Sequence, residues 1–178
     1  MSAVSRQSVG DLLNELASVS EGPSAGSAAA LACAQAAALV ELTATLAAKR
    51  LGGDETMSRL AASATVLQSA ALVALDHERT AYSEAAKGGN LADAADTPLA
   101  VAQLAAQVAD GAAKVACSGR WPFTPDAVAA AILAESAATI AVLIVRANLR
   151  DMPNDSRLTS VEEASALASA AAGKARAA

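Results

Sequence analysis

Residues 24–50 read SAGSAAALACAQAAALVELTATLAAKR, and this stretch decides the fold. Between its opening turn and the basic pair that closes it, the clearly polar side chains are Gln35, Glu41, Thr43 and Thr45. Alanine is the best helix former, and a helix that is apolar on nearly all sides is buried among other helices. The stretch therefore predicts the central helix of an all-α fold.

The composition extends this prediction to the whole chain. The 178 residues are 54% hydrophobic but only 2% aromatic, with one Trp, one Tyr and one Phe. Strand-favouring residues are scarce or dispersed in alanine-rich runs. Small side chains bury little apolar surface each, so a core built from them is stable only if helix backbones approach closely. We expect a single closely packed helical domain over residues 1–178.

Periodicity and capping signals divide the chain into six predicted helices. They cover residues 8–19, 24–50, 54–87, 97–118, 124–149 and 160–172. The fourth and fifth begin where a threonine precedes a proline, a common arrangement at a helix start. The sixth begins with Ser160 and Glu163, which form a capping box. Six helices joined by short loops predict an up-and-down bundle.

The second and fifth predicted helices carry more apolar surface than four small neighbours can cover. Part of that surface is expected to meet a second subunit, so a homodimer is predicted. The segment from Ala127 to Ala147 is expected to be a core helix and not a membrane span, because it carries Glu135 and is mostly alanine. The N-terminus has no apolar core flanked by a cleavage site, which predicts a cytoplasmic protein.

Charge and cysteine content argue against two classes of function. A net charge of -5 and a pI near 4.8 disfavour nucleic-acid binding, which needs clustered Lys and Arg. The two cysteines, Cys33 and Cys117, have no partner at metal-ligand spacing. We expect both to be small buried hydrophobic side chains, and no metal site is predicted.

Residues 22–30, GPSAGSAAA, form the first candidate site. Small residues at a loop-to-helix junction let a ligand approach backbone N–H groups without intrahelical partners, and the helix dipole favours an anion there. The alternative is a tight turn with a serine cap and alanine packing.

Residues 76–82, DHERTAY, are the second candidate. Asp76, Glu78, Arg79 and Tyr82 project carboxylates, a guanidinium and a phenol from neighbouring helical turns. The alternative is a solvated helix face laced with ion pairs. His77 is the only histidine, and we interpret it as a surface residue.

Two further sets carry less specific signals. Glu41 and Glu135 each lie within an apolar helix, where burial would raise the pKa of a carboxyl and suit it to acid–base chemistry. Either could instead face a dimer interface and pair with Arg146 or Lys114. Residues 119–126, GRWPFTPD, gather two of the three aromatics. They could wall a flat heterocycle or plug the end of the bundle.

Taken in order, these regions resemble the formiminotetrahydrofolate cyclodeaminase and methenyltetrahydrofolate cyclohydrolase family. Its signature, of the kind P-x-P-G-G-G-S-A-A-A, corresponds here to residues 21–30, EGPSAGSAAA. Pro23, Gly26 and Ser27 match it, whereas two glycines are replaced by Ser24 and Ala25.

Other matches follow along nearly the whole chain, from residue 8 to residue 154. They are the basic pair Lys49-Arg50, the acidic and aromatic residues Asp76, Glu78, Ala81 and Tyr82, the segment Ala95-Asp96-Thr97-Pro98-Leu99, Gly119 with Pro125-Asp126, and Asn148. A second asparagine usual in the family is replaced by Ile144.

The resemblance implies an all-helical dimeric enzyme that acts on a reduced folate. The reaction would be cyclisation of a formimino group with loss of ammonia, or hydrolysis of a methenyl bridge, without metal or nucleotide cofactor. The implied site residues fall into two groups. The acid–base candidates are Asp126, Glu78 and Asp76; the substrate-binding candidates are Pro23, Gly26, Ser27, Tyr82 and Asn148, with Lys49 and Arg50 at the anionic glutamyl tail.

An alternative interpretation is a catalytically inactive homodimeric domain of the same fold that binds another ligand or a partner protein. The replaced glycines and asparagine favour this alternative. The retained Asp76, Asp126 and basic pair favour the enzyme.

Overall fold

The computed structural model describes residues 3–18, 24–86, 88 and 90–178. Pro23 lies outside the described residues, and so does the side chain of Tyr82. The described residues form six α-helices and no strand, which confirms the predicted all-α fold. The helices are α1 (Val9–Leu16), α2 (Ala25–Arg50), α3 (Glu55–Ala86), α4 (Asp96–Cys117), α5 (Thr124–Asn148) and α6 (Ser156–Arg176). Two short 3₁₀ segments accompany them, the N-terminal turn (Val4–Arg6) and the α4 entry turn (Leu91–Ala95).

The helices α1 and α3 begin at capping residues, whose side chains accept hydrogen bonds from backbone N–H groups of the first turn. Ser8 caps α1 by accepting a bond from the Asp11 N–H at 3.1 Å, and Asp54 caps α3 by accepting one from the Met57 N–H at 2.8 Å. Between α2 and α3, Gly52 and Gly53 adopt φ values of 70° and 92°, a left-handed conformation that favours glycine. The α2–α3 reversal is therefore encoded in the sequence.

The predicted start of the sixth helix was wrong. The helix α6 begins at Ser156, capped by Asp155, whose carboxylate accepts a bond from the Arg157 N–H at 2.9 Å. The Arg157 guanidinium also bonds to this carboxylate, so the pKa of Asp155 falls to about 2. Tertiary contacts explain the earlier start, because Arg157 also donates to the Ala92 carbonyl and pairs with Asp96 on α4.

Successive helices run in opposite directions, so the bundle has two distinct ends. One end, named here the Glu78 end, holds the first turns of α2, α4 and α6 and the last turns of α3 and α5. Bonds from Asn148 and Arg157 to the α4 entry turn hold that end together. The opposite end is named the Lys49 end. At about 1.5 Å per residue, the 26 residues of α2 separate the two ends by roughly 35–40 Å.

The core is packed from small side chains, as the composition predicts. The buried positions of α2 and α5 are mostly alanine, with Val40 and Val145 among the largest fully buried side chains. A Cβ placed on Gly111 of α4 would lie 3.3 Å from Val40 and 3.2 Å from Leu60. Glycine and alanine thus allow the helix backbones the close approach that such a core requires.

Three helices are long and apolar enough to cross a membrane, judged by length and composition within the described residues. They are Ala25–Arg50, Glu55–Ala81 and Thr124–Asn148. In the most apolar 18-residue stretch of each helix, the share of residues buried inside the bundle is 50%, 28% and 44%, respectively. On these two criteria α5 is a candidate span, contrary to the expectation from its glutamate and alanine content. The unburied parts of these helices form substantial apolar surface.

Candidate functional site

The carboxyl group of Glu78 lies against the first turn of α2. Glu78 is 5% exposed, and a Cβ placed on Gly26 would lie 1.8 Å from its Oε1 atom. Gly26 is the second residue of α2, where backbone N–H groups have no partner within the helix. Any side chain at position 26 would require the Glu78 carboxyl to move.

Glu78 titrates near neutral pH. Within the described part of the chain its side chain has no hydrogen bond or ion pair. Burial penalises the charged carboxylate and raises the pKa of Glu78 from 4.5 to about 7. The group is therefore present in both protonation states at physiological pH.

Other polar groups at the Glu78 end are buried with incomplete hydrogen bonding. Ser27 is 1% exposed, and its Oγ has no partner among the described residues. The Gln7 Oε1, Glu15 Oε2 and Arg79 Nε atoms also lack a hydrogen bond among the described residues, although Glu15 Oε2 lies 3.5 Å from a guanidinium nitrogen of Arg79. Buried polar atoms are normally bonded, so these groups have bonding capacity left for a ligand.

Asp76 binds the N-terminal turn. Its carboxylate accepts bonds from the Ser5 N–H at 2.9 Å and the Ser5 hydroxyl at 2.7 Å. Arg79, one turn along α3, approaches Glu15 of α1 at 3.5 Å. Both contacts hold the N-terminal segment against the charged last turns of α3, beside Glu78.

Asn148 lies at the Glu78 end but binds the protein backbone. Its amide Nδ2 donates to the Ala94 carbonyl at 3.0 Å, which anchors the α4 entry turn to the end of α5. His77 is exposed and faces a different feature, a groove of about 450 Å³ between α3 and α4 that Asp96 and Gln103 also line.

The remaining predicted site residues lie at the Lys49 end. Lys49 and Arg50 are exposed in the last turn of α2, about 35 Å along the helix from Gly26. Asp126 is exposed in the first turn of α5, at the same end. A single chain therefore brings Gly26, Ser27, Asp76, Glu78 and Asn148 to one end of the bundle, and Lys49, Arg50 and Asp126 to the other.

The aromatic loop plugs the Lys49 end. The rings of Trp121 and Phe123 stack with centroids 5.9 Å apart and planes at 9°. Phe123 is buried in the main core, and the Trp121 Nε1–H donates to the Ser118 hydroxyl at 3.1 Å. Of the two interpretations of this loop, the geometry supports the plug.

Of the two alternatives for Glu135, the structure supports the ion pair, although with a partner that was not predicted. Its carboxylate bonds to Arg176 and, at 2.8 Å, to the Ser169 hydroxyl, and these bonds lower its pKa. The suggested partners bind elsewhere: Arg146 pairs with Glu162 and Lys114 with Asp110. Glu41 is half-buried on α2.

The cysteines differ in environment. Cys33 is buried, and burial raises the pKa of its thiol to about 12, so it is an inert core residue as predicted. Cys117 is exposed, contrary to the prediction. Among the described residues, His, Cys, Asp and Glu side chains form no group of three that could hold a metal ion.

Comparison with known families identifies the fold. A family model described as formiminotransferase-cyclodeaminase matches residues 8–166. The chain belongs to this family. The crystal structure of formiminotetrahydrofolate cyclodeaminase from Thermotoga maritima matches with a TM-score of 0.89 and 20% sequence identity, over 97% of this chain and 96% of that one. At this identity the match shows a shared fold. A search of curated proteins finds no match.

For this family member, sequence reasoning found Glu78 and Gly26 separately but missed their contact. A glycine within an alanine run was the available signal, because alanine would be the better helix former unless a neighbour needed the space. The bonds of Asp76 to Ser5 and of Asn148 to Ala94 join residues distant in sequence, and no local pattern indicates them.

Proposed function

We propose that this chain is a folate one-carbon enzyme of the cyclodeaminase or cyclohydrolase type, with Glu78 as the group that carries the proton. One observation carries the proposal: a buried carboxyl with a pKa of about 7 lies against the first turn of α2 at Gly26, without a partner among the described residues. Family membership supplies the substrate class.

The chemistry needs a group that both accepts and donates a proton. In the cyclisation, the folate nitrogen outside the pterin ring attacks the formimino carbon and loses a proton, and the departing amine takes up a proton to leave as ammonia. In the hydrolysis, water adds to the methenyl carbon and loses a proton, and a folate nitrogen takes one up as its bond to that carbon breaks. A carboxyl with a pKa near the working pH serves both steps.

Neighbouring groups would hold the substrate. The N–H groups of the first turn of α2 and the Ser27 hydroxyl can donate to acceptor atoms of a folate ring. Asp76 is assigned a positioning role, since its carboxylate is engaged by Ser5. Asn148 likewise positions the α4 entry turn through Ala94.

The alternative, an inactive ligand-binding domain, draws support from the distribution of the carboxylates. Of the three acid–base candidates, only Glu78 is buried and, within the described residues, unpaired; Asp76 is bonded to Ser5, and Asp126 lies at the opposite end. This alternative requires binding of a ligand without turnover.

The test compares Glu78→Gln with Glu84→Gln, an exposed glutamate on the same helix. Ammonia release from formiminotetrahydrofolate and the absorbance change on methenyltetrahydrofolate hydrolysis are measured, with calorimetry for binding. We expect Glu78→Gln to lower kcat by roughly 10² or more and Glu84→Gln to leave it unchanged. An unchanged rate in Glu78→Gln rejects the role of Glu78, and a wild type that binds without turnover supports the alternative.

A further inference from the structure

Three polar side chains from separate segments meet at the Glu78 end of the bundle. They are Gln7 after the N-terminal turn, Glu15 on α1 and Arg79 on α3, named here the Arg79 cluster. The Gln7 Nε2 atom donates to the Glu15 Oε1 atom at 2.9 Å, and a guanidinium nitrogen of Arg79 lies 3.5 Å from the Glu15 Oε2 atom. Within the described part of the chain, each of the three side chains has a buried polar atom without a hydrogen bond.

Arg157 shows how this protein bonds an arginine that has a structural role. All three guanidinium nitrogens of Arg157 donate to carboxylates or a carbonyl, at 2.8–3.0 Å. Arg79 is similarly buried, with 19% of its side chain exposed against 23% for Arg157. Its contact with Glu15, however, is longer than the 2.7–2.9 Å usual for a charge-assisted hydrogen bond, and its Nε–H has no acceptor among the described residues. Arg79 therefore keeps bonding capacity that a structural arginine uses.

The carboxylate that faces Arg79 is held by a short helix. Leu12 and Leu16 attach α1 to the main core, whereas Leu13 on the same helix is 55% exposed. The Glu15 side chain is itself 35% exposed. A long ion pair that is partly open to water contributes little to stability. Glu15 can therefore be displaced by a carboxylate that bonds to Arg79 with better geometry.

We infer that the Arg79 cluster is a carboxylate-binding site, which Glu15 occupies in the free protein and which a carboxylate of the ligand takes over on binding. Both groups that face the Glu15 carboxylate, the Gln7 amide and the Arg79 guanidinium, are donors that suit any carboxylate. An incoming carboxylate also gains the free Arg79 Nε–H and completes a bidentate pairing that Glu15 does not make.

The proposed function supplies a ligand with this charge. A reduced folate carries its reacting one-carbon unit near one end and the carboxylates of its glutamyl tail at the other. Glu78 and Arg79 are adjacent on α3, and their side chains leave the helix about 100° apart, so one extended ligand can contact both. Lys49 and Arg50, the cations expected at the tail, lie about 35 Å from Gly26 within one chain. The identity of the ligand rests on the proposed function, whereas the exchange of carboxylates at Arg79 does not.

The charges at this end make the two carboxylates compete. Asp76 and Glu15 are acidic groups of the same end, and a further anion beside Glu15 would be repelled by it. The ligand carboxylate therefore binds only as Glu15 leaves the guanidinium. Removal of the Glu15 charge should then tighten binding, a result that a purely structural ion pair would not give.

The test measures the binding of p-aminobenzoylglutamate, the tail half of a folate, by calorimetry. We expect Glu15→Gln to lower the Kd roughly tenfold or more, because the guanidinium loses its internal competitor, and Arg79→Gln to raise it by a similar factor. Glu55→Gln and Arg59→Gln are the matched controls, since they break an exposed glutamate–arginine pair on α3, and they should leave the Kd unchanged.

Two further probes separate the possible sources of the carboxylate. Free L-glutamate and the dimethyl ester of p-aminobenzoylglutamate are titrated into the Glu15→Gln protein. We expect both to bind more weakly than p-aminobenzoylglutamate, because the first lacks the aromatic ring and the second lacks the charge. Equal binding of free glutamate overturns the assignment to a folate tail, and equal binding of the ester overturns carboxylate recognition by Arg79.

A Glu15→Gln protein that binds p-aminobenzoylglutamate no better than wild type overturns the competition and leaves a structural ion pair. Circular dichroism checks that each variant folds. Gln7→Ala removes only the bond that holds Glu15, so it should tighten binding in the same direction by a smaller factor. The proposed function fails separately, if the wild type turns over neither folate; the order of the Kd values then still decides the carboxylate site.

Discussion

The two ends of α2 differ in how their polar groups are satisfied. At the Glu78 end, the Glu78 carboxyl and the Ser27 hydroxyl are buried without partners among the residues that the structure describes. At the Lys49 end, Trp121 and Phe123 fill the gap between helices, and the loop is bonded internally through Ser118 and Thr124. The comparison teaches that one end is built for stability, whereas the other keeps polar groups unbonded at a cost in stability, as functional sites commonly do.

The largest expected effect on stability is at the Lys49 end. Phe123→Ala removes a buried ring that stacks on Trp121, and it should lower the free energy of unfolding by about 3–5 kcal/mol. Urea denaturation followed by circular dichroism measures this. A loss below about 1 kcal/mol would mean that the aromatic plug contributes little to the fold.

The pH dependence of stability distinguishes the Glu78 end. Burial in the folded protein raises the pKa of Glu78 from 4.5 to about 7, so the folded state binds the carboxyl proton more tightly than the unfolded state does. The free energy of unfolding therefore falls as the pH rises from 4.5 to about 7. At about 1.4 kcal/mol per pH unit the total is on the order of 3 kcal/mol. Glu78→Gln should therefore be more stable than wild type at pH 8 and similar to it at pH 5, in melts at both values. Equal stability at pH 8 would contradict the buried, unpaired carboxyl.

Two helical glycines sharpen the comparison further. Gly26→Ala forces Glu78 to move and should destabilise the protein by about 1–3 kcal/mol, with loss of turnover. Gly173→Ala on α6 meets no atom within 4 Å and should stabilise the protein by up to about 1 kcal/mol. Thermal melts of the pair provide the check, and the same sign for both changes would argue against the Gly26–Glu78 contact.

The smallest expected effect on stability is that of Asp126→Asn. The carboxylate is exposed in the first turn of α5, so its interaction with the helix dipole contributes at most about 1 kcal/mol. Turnover measured beside the melt tests its predicted acid–base role. An undiminished rate would remove Asp126 from the acid–base candidates.

The sequence by itself determined the all-α fold, the small-residue core and the turn at Gly52 and Gly53, because helix propensity, apolar periodicity and left-handed glycines act over a few neighbouring residues. It also pointed to Glu78 and Gly26 as separate candidates. Two features depend on contacts between residues distant in sequence. The start of α6 depends on Arg157, which binds the Ala92 carbonyl, and Glu135 pairs with Arg176.

Only the tertiary structure decided which candidates meet. Glu78 and Gly26 are 52 positions apart in sequence yet in contact, whereas Gly26 and Lys49 share one helix yet lie about 35 Å apart. The physical reason is that a helix carries its residues steadily apart, while antiparallel packing returns distant residues to the same end. Local pattern therefore identifies the residue types of a site, and packing determines which of them can act together.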